Sequence, residues 1–109
     1  MATTAKSALE LQFEEAIMSD VVECTRLGYY PSDFVRMVNE HGGVETARRL
    51  IADDRVPDGF GRLWEMGRLD MTLEACIRDT PKFHELFDKE LIDRCDKRLT
   101  DAHYKPKVA

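Results

Sequence analysis

Leu9, Phe13, Ile17, Val21, Cys24 and Leu27 recur at steps of three and four residues, the spacing that stacks side chains on one face of an α-helix. Ser7 and Glu10 stand three apart just ahead of this stripe, a Ser-x-x-Glu capping box that marks a helix start. Gly28 follows it, the residue type that most often ends a helix. A first helix of about 20 residues is therefore expected, far too long for a strand. A helix of that length with one apolar stripe has to be covered by other elements, and the rest of the sequence supplies only helices.

Pro31 suits the first turn of a second helix, where its missing N–H leaves nothing unpaired. Phe34, Met37, Val38 and His41 define its inner face. After Gly42-Gly43 a third helix is expected over Val44 to Ala52, with Val44, Ala47, Leu50 and Ile51 inward, so that the two form a tight αα corner. Arg55-Val56-Pro57 breaks the chain without being long enough to separate two domains. Later starts are marked by Asp58, by Asp70 or Thr72, by Thr80-Pro81 and by Asp88. The inward residues that follow are Phe60, Leu63 and Trp64; Leu73, Cys76 and Ile77; Phe83, Leu86 and Phe87; and Leu91, Ile92, Cys95 and Leu99. No strand-period run, repeat or low-complexity segment interrupts this pattern. The expected fold is all-α, a single compact domain over 1–109 of six or seven helices, ordered from about residue 7 to 103, with the tails frayed.

Asp58–Glu74 concentrates three of the six glycines and the only tryptophan. Glycine inside a helix costs about 1 kcal/mol relative to alanine, so this density follows a backbone plan. The glycines are read as helix ends and close-packing positions around Phe60, Leu63 and Trp64. The Gly67-Arg68-Leu69-Asp70 turn joins two short helices, and Arg68 is expected to bridge carbonyls of the preceding helix or to pair with Asp70 or Glu74.

With 43% hydrophobic and 34% charged residues, the chain is neither a disordered tail nor a membrane span. Its start, MATTAKSALELQFEEA, is acidic and amphipathic and does not have the pattern of a secretory signal. Cys24, Cys76 and Cys95 are odd in number, widely separated and on apolar faces, as reduced thiols of a cytoplasmic protein are. The histidines His41, His84 and His103 are isolated, with no close pair to seed a metal site, so no metal and no cofactor is expected. No Gly-x-Ser-x-Gly elbow, phosphate-binding glycine loop or His-Glu-x-x-His is present, and no catalytic residue is assigned.

The net charge is −5, and it is unevenly placed. Residues 1–30 hold Glu10, Glu14, Glu15, Asp20 and Glu23 against Lys6 and Arg26, whereas 81–109 hold seven Lys or Arg against six Asp or Glu. An acidic domain repels phosphate backbones, so direct nucleic-acid binding is not expected. In the αα corner, Arg48 and Arg49 are accompanied by Glu45, Asp53 and Asp54, a poor surface for reading DNA. The carboxylates Glu14, Glu15, Asp20 and Glu23 are instead read as an acidic helix face able to meet lysines and arginines of a partner. Arg68 and Asp70 are the candidate anchor beside it.

The composite pattern carries a resemblance. YPSDFVRMVNEHGGVETARRLI followed by DGFGRLWEMGRLDMTLEACI resembles a small, widespread bacterial and phage helical domain. The shared positions are Tyr30, Pro31, Phe34, Met37, His41, Gly42, Gly43, Ala47, Leu50, Gly59, Phe60, Leu63, Trp64, Glu65, Gly67, Arg68, Leu69, Asp70, Thr72 and Glu74, and the similarity spans roughly residues 27–99. Domains of this kind are appended to larger bacterial proteins, some linked to restriction or defence. Others resemble stand-alone phage anti-CRISPR inhibitors of type I surveillance complexes. The resemblance implies a non-enzymatic inhibitor in the host bacterial cytoplasm, blocking target DNA by occupying a basic nucleic-acid-binding surface of the complex. The alternative it implies is a bacterial regulatory or adaptor domain associated with restriction or defence. It supplies no catalytic residues.

Overall fold

The structure, a computed structural model, describes residues 7–104. Six α-helices follow one another: α1 (Ala8–Arg26), α2 (Ser32–His41), α3 (Gly43–Ala52), α4 (Asp58–Glu65), α5 (Leu73–Asp79) and α6 (Lys89–Asp101). A 3₁₀ turn, Leu69–Met71, precedes α5, and a longer 3₁₀ segment, Pro81–Leu86, precedes α6. No strand occurs among the described residues, and the all-α expectation holds. No helix among them is long and apolar enough to cross a membrane.

α1 begins as its sequence dictates. Ser7 Oγ accepts the Glu10 N–H at 3.1 Å, and Glu10 Oε1 accepts the Ser7 N–H at 3.3 Å. At its other end Gly28 lies at φ +95°, and the N–H groups of Gly28 and Tyr29 reach back to the carbonyls of Thr25 and Cys24. This paired closure satisfies carbonyls that a helix end otherwise leaves unbonded. Phe13, Ile17, Val21 and Cys24 are buried along the predicted stripe, while Leu27, at its end, remains 39% exposed.

The main core is built on α1. Phe13 packs edge-to-face against Phe83 at 5.2 Å and Phe87 at 5.3 Å between ring centres. Val38, Val44, Ala47, Ile51, Ile77 and Cys95 complete it. Each large apolar side chain buried here contributes about 1.5–3 kcal/mol. A second cluster joins Phe60, Leu69, Ala75 and Leu99; a third joins Cys24, Leu63 and Met71.

Several local expectations need correction. Pro31 is the cap residue before α2 rather than a member of its first turn, and Asp58 is the first residue of α4, behind Pro57. Asp58 therefore favours that helix through its charge near the positive end of the helix dipole. Thr72, not Asp70, caps α5, its Oγ1 accepting the Ala75 N–H at 3.1 Å. His41 is exposed rather than inward. Trp64 is not a core residue: it is 59% exposed, while its neighbour Leu63 is buried. α4 has only eight residues, and Phe60 and Leu63 already fill its inner face.

The Gly42-Gly43 corner has two separate causes. Gly42 sits at φ +83°, a conformation open to glycine at little cost. Gly43 is the first residue of α3 and lies against α1: a Cβ there would stand 2.6 Å from Glu14 Cγ and 3.1 Å from Ile17 Cδ1. The close approach lets Glu14 Oε1 accept the Gly43 N–H at 2.7 Å. A carboxylate of α1 thus caps the N-terminus of α3 across 29 residues of sequence.

Candidate functional site

The six residues singled out from sequence do not share one surface. At about 100° per residue, Glu14 and Asp20 flank the buried stripe of α1 on opposite sides, while Glu15 faces away from it. Glu14 is committed to Gly43, as described above. Glu15 is exposed on the solvent side of α1, where Leu11 and Val22 are also exposed, at 47% and 69%. The acidic face expected from sequence is therefore divided into a structural capping residue, an outward residue and a cluster at the Arg68 turn.

That cluster brings Asp20, Glu23, Arg68 and Asp70 together. α4 ends with Gly67 at φ +69°, and the N–H groups of Gly67 and Arg68 bond the carbonyls of Trp64 and Leu63. The turn then aims the Arg68 guanidinium at two carboxylates. Nε and Nη2 donate to the two Asp70 oxygens, each at 3.1 Å, and Nη1 lies 3.7 Å from Glu23 Oε2. Glu23 also accepts from Arg26 at 2.8 and 2.6 Å. The hydrogen bond from Arg26 holds the Glu23 carboxyl below its ordinary range, with the charge of Arg68 adding to it. Fork-shaped pairing of this kind fixes a guanidinium in space as well as in charge. Arg68 bridges neither helix-end carbonyls nor Glu74; it ties the turn to α1.

Asp20 is different. Burial pushes its carboxyl up to about 6, the charge of Asp70 adds to the rise, and Arg68 opposes it. Burial likewise pushes the Cys76 thiol up to about 12. A thiol at that level is a poor nucleophile at neutral pH.

Asp20 also lines two depressions. The larger is a cleft of about 520 Å³. Its walls come from α1 and the start of α2 on one side, and from α4 and the 53–57 loop on the other. Met71, Thr72, Leu73 and Glu74 close the end between them. Tyr29, Tyr30, Phe34, Met37, Phe60 and Leu63 are among its apolar lining residues. Asp33, Asp53 and Asp58 add carboxylates, and Arg55 is the one arginine or lysine in the lining. The smaller groove, about 460 Å³, has Asp20, Asp70 and Asp79 with Ser19, Cys76 and Tyr104.

Sequence reasoning missed the pair that shapes one end of the cleft. Glu74 is 3% exposed and accepts from Arg98 Nη1 at 2.9 Å. Burial pushes its carboxyl up, against the pull of the Arg98 hydrogen bond. Arg98 also donates to the backbone carbonyls of Leu50, Ile51 and Asp53, closing the end of α3. The only signal in the sequence was a glutamate inside an otherwise inward-facing segment, Leu73–Ile77. A buried charge there requires a partner.

His84 bonds the Arg78 carbonyl, and His41 lies beside Arg49 and Glu40. No group of three or more His, Cys, Asp or Glu is placed to hold a metal ion among the described residues. Comparison with known protein families, with curated proteins and with solved structures finds nothing that matches this chain.

Proposed function

We propose that the protein is a non-enzymatic inhibitor that binds another protein, and that its target is a type I CRISPR surveillance complex, a basic nucleic-acid-binding assembly. The observation that carries this reading is the solvent side of α1. There Leu11 and Val22 are exposed with Glu15 between them in sequence, while Glu23, paired with Arg26 and Arg68, lies on the neighbouring face of the helix. Apolar area bordered by charge is the anatomy of protein interfaces. The excess of carboxylates over cations in residues 1–30 favours a basic partner and repels free nucleic acid. Binding there blocks target DNA by competition for the same basic surface. Charge complementarity speeds encounter, and the apolar residues slow dissociation.

The test is co-purification with purified type I complexes, followed by a target-DNA binding assay. Binding and loss of DNA capture are expected. Glu15→Lys combined with Glu23→Lys should weaken the association at least tenfold at low salt and less at high salt. Failure to associate with any type I complex ends this proposal, and unchanged affinity in the double variant removes α1 from it.

The alternative is a regulatory or adaptor domain of bacterial origin associated with restriction or defence. The cleft favours it, because a concave site lined by both apolar and charged side chains suits a segment of a partner better than a broad flat surface.

A further inference from the structure

We infer that the cleft between α1–α2 and α4 receives an arginine from a segment of a partner protein, with an apolar side chain beside that arginine. This rests on the reading of the chain as a protein-binding module, whichever complex it binds. The argument begins from charge. Asp20, Asp33, Asp53 and Asp58 line the cleft against a single lining cation, Arg55. Glu74 is already matched by Arg98, Asp33 lies 3.4 Å from Arg36, and Asp53 Oδ1 accepts the Arg55 N–H. Asp53, whose partner is a backbone N–H, Asp58 and Asp20 have no side-chain ion pair within 4 Å among the described residues, although the charge of Arg68 reaches Asp20. Asp20 belongs to α1, Asp58 to α4 and Asp53 to the loop before it, so separate elements bring these carboxylates to the cleft.

The surfaces between them select the kind of cation. Tyr29, Phe34 and Phe60 offer ring surfaces, and Met37 and Met71 offer adaptable apolar area. A planar guanidinium stacks on rings while its N–H groups reach carboxylates; a compact, strongly hydrated ammonium does this less well. Tyr29 shows this contact already, since the guanidinium carbon of Arg62, a residue outside the cleft lining, lies 5.5 Å from the centre of its ring. Tyr30 and Val56, 56% and 47% exposed, extend the apolar surface outside and give the neighbouring side chain of the segment a place to rest. Desolvation and the nearby Asp70 raise the cost of a charge at Asp20 beyond what Arg68 offsets, and an incoming guanidinium lowers that cost.

The test is an NMR titration of the isotope-labelled chain with the synthetic peptide acetyl-Gly-Ser-Arg-Leu-Gly-Ser-amide at pH 7.5. Saturable shifts confined to Tyr29, Phe34, Phe60 and Met71 are expected. The Arg→Lys peptide should bind several-fold more weakly, and the Arg→Glu peptide should produce no saturable shift. Asp20→Asn and Asp58→Asn should each weaken binding about tenfold, while their unperturbed spectra report an intact fold. Equal shifts with the glutamate peptide, unchanged affinity in both variants, or shifts confined to the outer face of α1 overturn the inference. Concentration-dependent dimerisation that masks these same resonances also overturns it, since a second copy would then be the occupant. If peptide binding is retained and association with surveillance complexes is absent, only the proposed target falls. The reverse result removes only the cleft.

Discussion

Asp20 carries a structural cost that its identity alone does not reveal. In an extended chain it would ionise at the ordinary carboxylate pKa near 3.8, but in the fold its carboxyl is pushed up to about 6 by burial first and Asp70 second. Between these values the native state binds more protons than the unfolded chain, so this group makes stability fall as pH rises from about 4 to about 6. Asp20→Asn removes that slope. The variant should gain about 1–2 kcal/mol at pH 7.5, a figure reduced for the partial solvent exposure of the group, and almost nothing at pH 4. Urea unfolding at the two pH values measures the difference; an equal effect at both would show that the burial cost of the ionised carboxyl is absent. The identity of Asp20 was plain in the sequence. Its desolvation was not, because that depends on how α5 and the Arg68 turn pack against α1.

Among the elements, the caps and helix ends follow local rules closely. The Ser7 box and the glycines at positions 28 and 67 all behave as their types suggest. His103 is the exception: it occupies the same left-handed position at the end of α6, at φ +59°. The α2–α3 corner is less local. Gly42 answers a backbone need readable from a Gly-Gly pair, whereas Gly43 answers the proximity of Glu14 and Ile17 on another helix. Gly43→Ala is expected to destabilise the domain by about 1–3 kcal/mol, despite the better helix propensity of alanine, because the added carbon forces α1 and α3 apart. Denaturant unfolding checks this, and a stabilised variant would show that propensity outweighs the contact. The same limit explains Trp64. A short amphipathic helix has room for only two large residues on its inner face, and which neighbour is excluded depends on what it packs against.

At the scale of the whole molecule, Arg98 is the cross-link. One side chain of α6 bonds Glu74 of α5 and three carbonyls around the end of α3, where the chain enters the 53–57 wall of the cleft. Arg98→Met leaves Glu74 as a buried carboxyl without its partner and should cost about 3–5 kcal/mol. Adding Glu74→Leu should recover part of that loss, because two apolar residues can replace a buried pair at smaller cost than one orphaned charge. Urea unfolding of the single and double variants measures the coupling. A single variant within about 0.5 kcal/mol of the parent would mean that the pair does not hold these elements together. The sequence by itself determined the all-α class, most helix positions, the caps and the acidic bias of the N-terminal third, because these depend on residues a few positions apart. Only the tertiary structure decided that Glu14 caps α3, that Asp20 is desolvated, that Arg98 matches Glu74 and that Trp64 faces solvent. Each of those outcomes is set by distances between elements, and a helical period carries no information about what stands opposite its face.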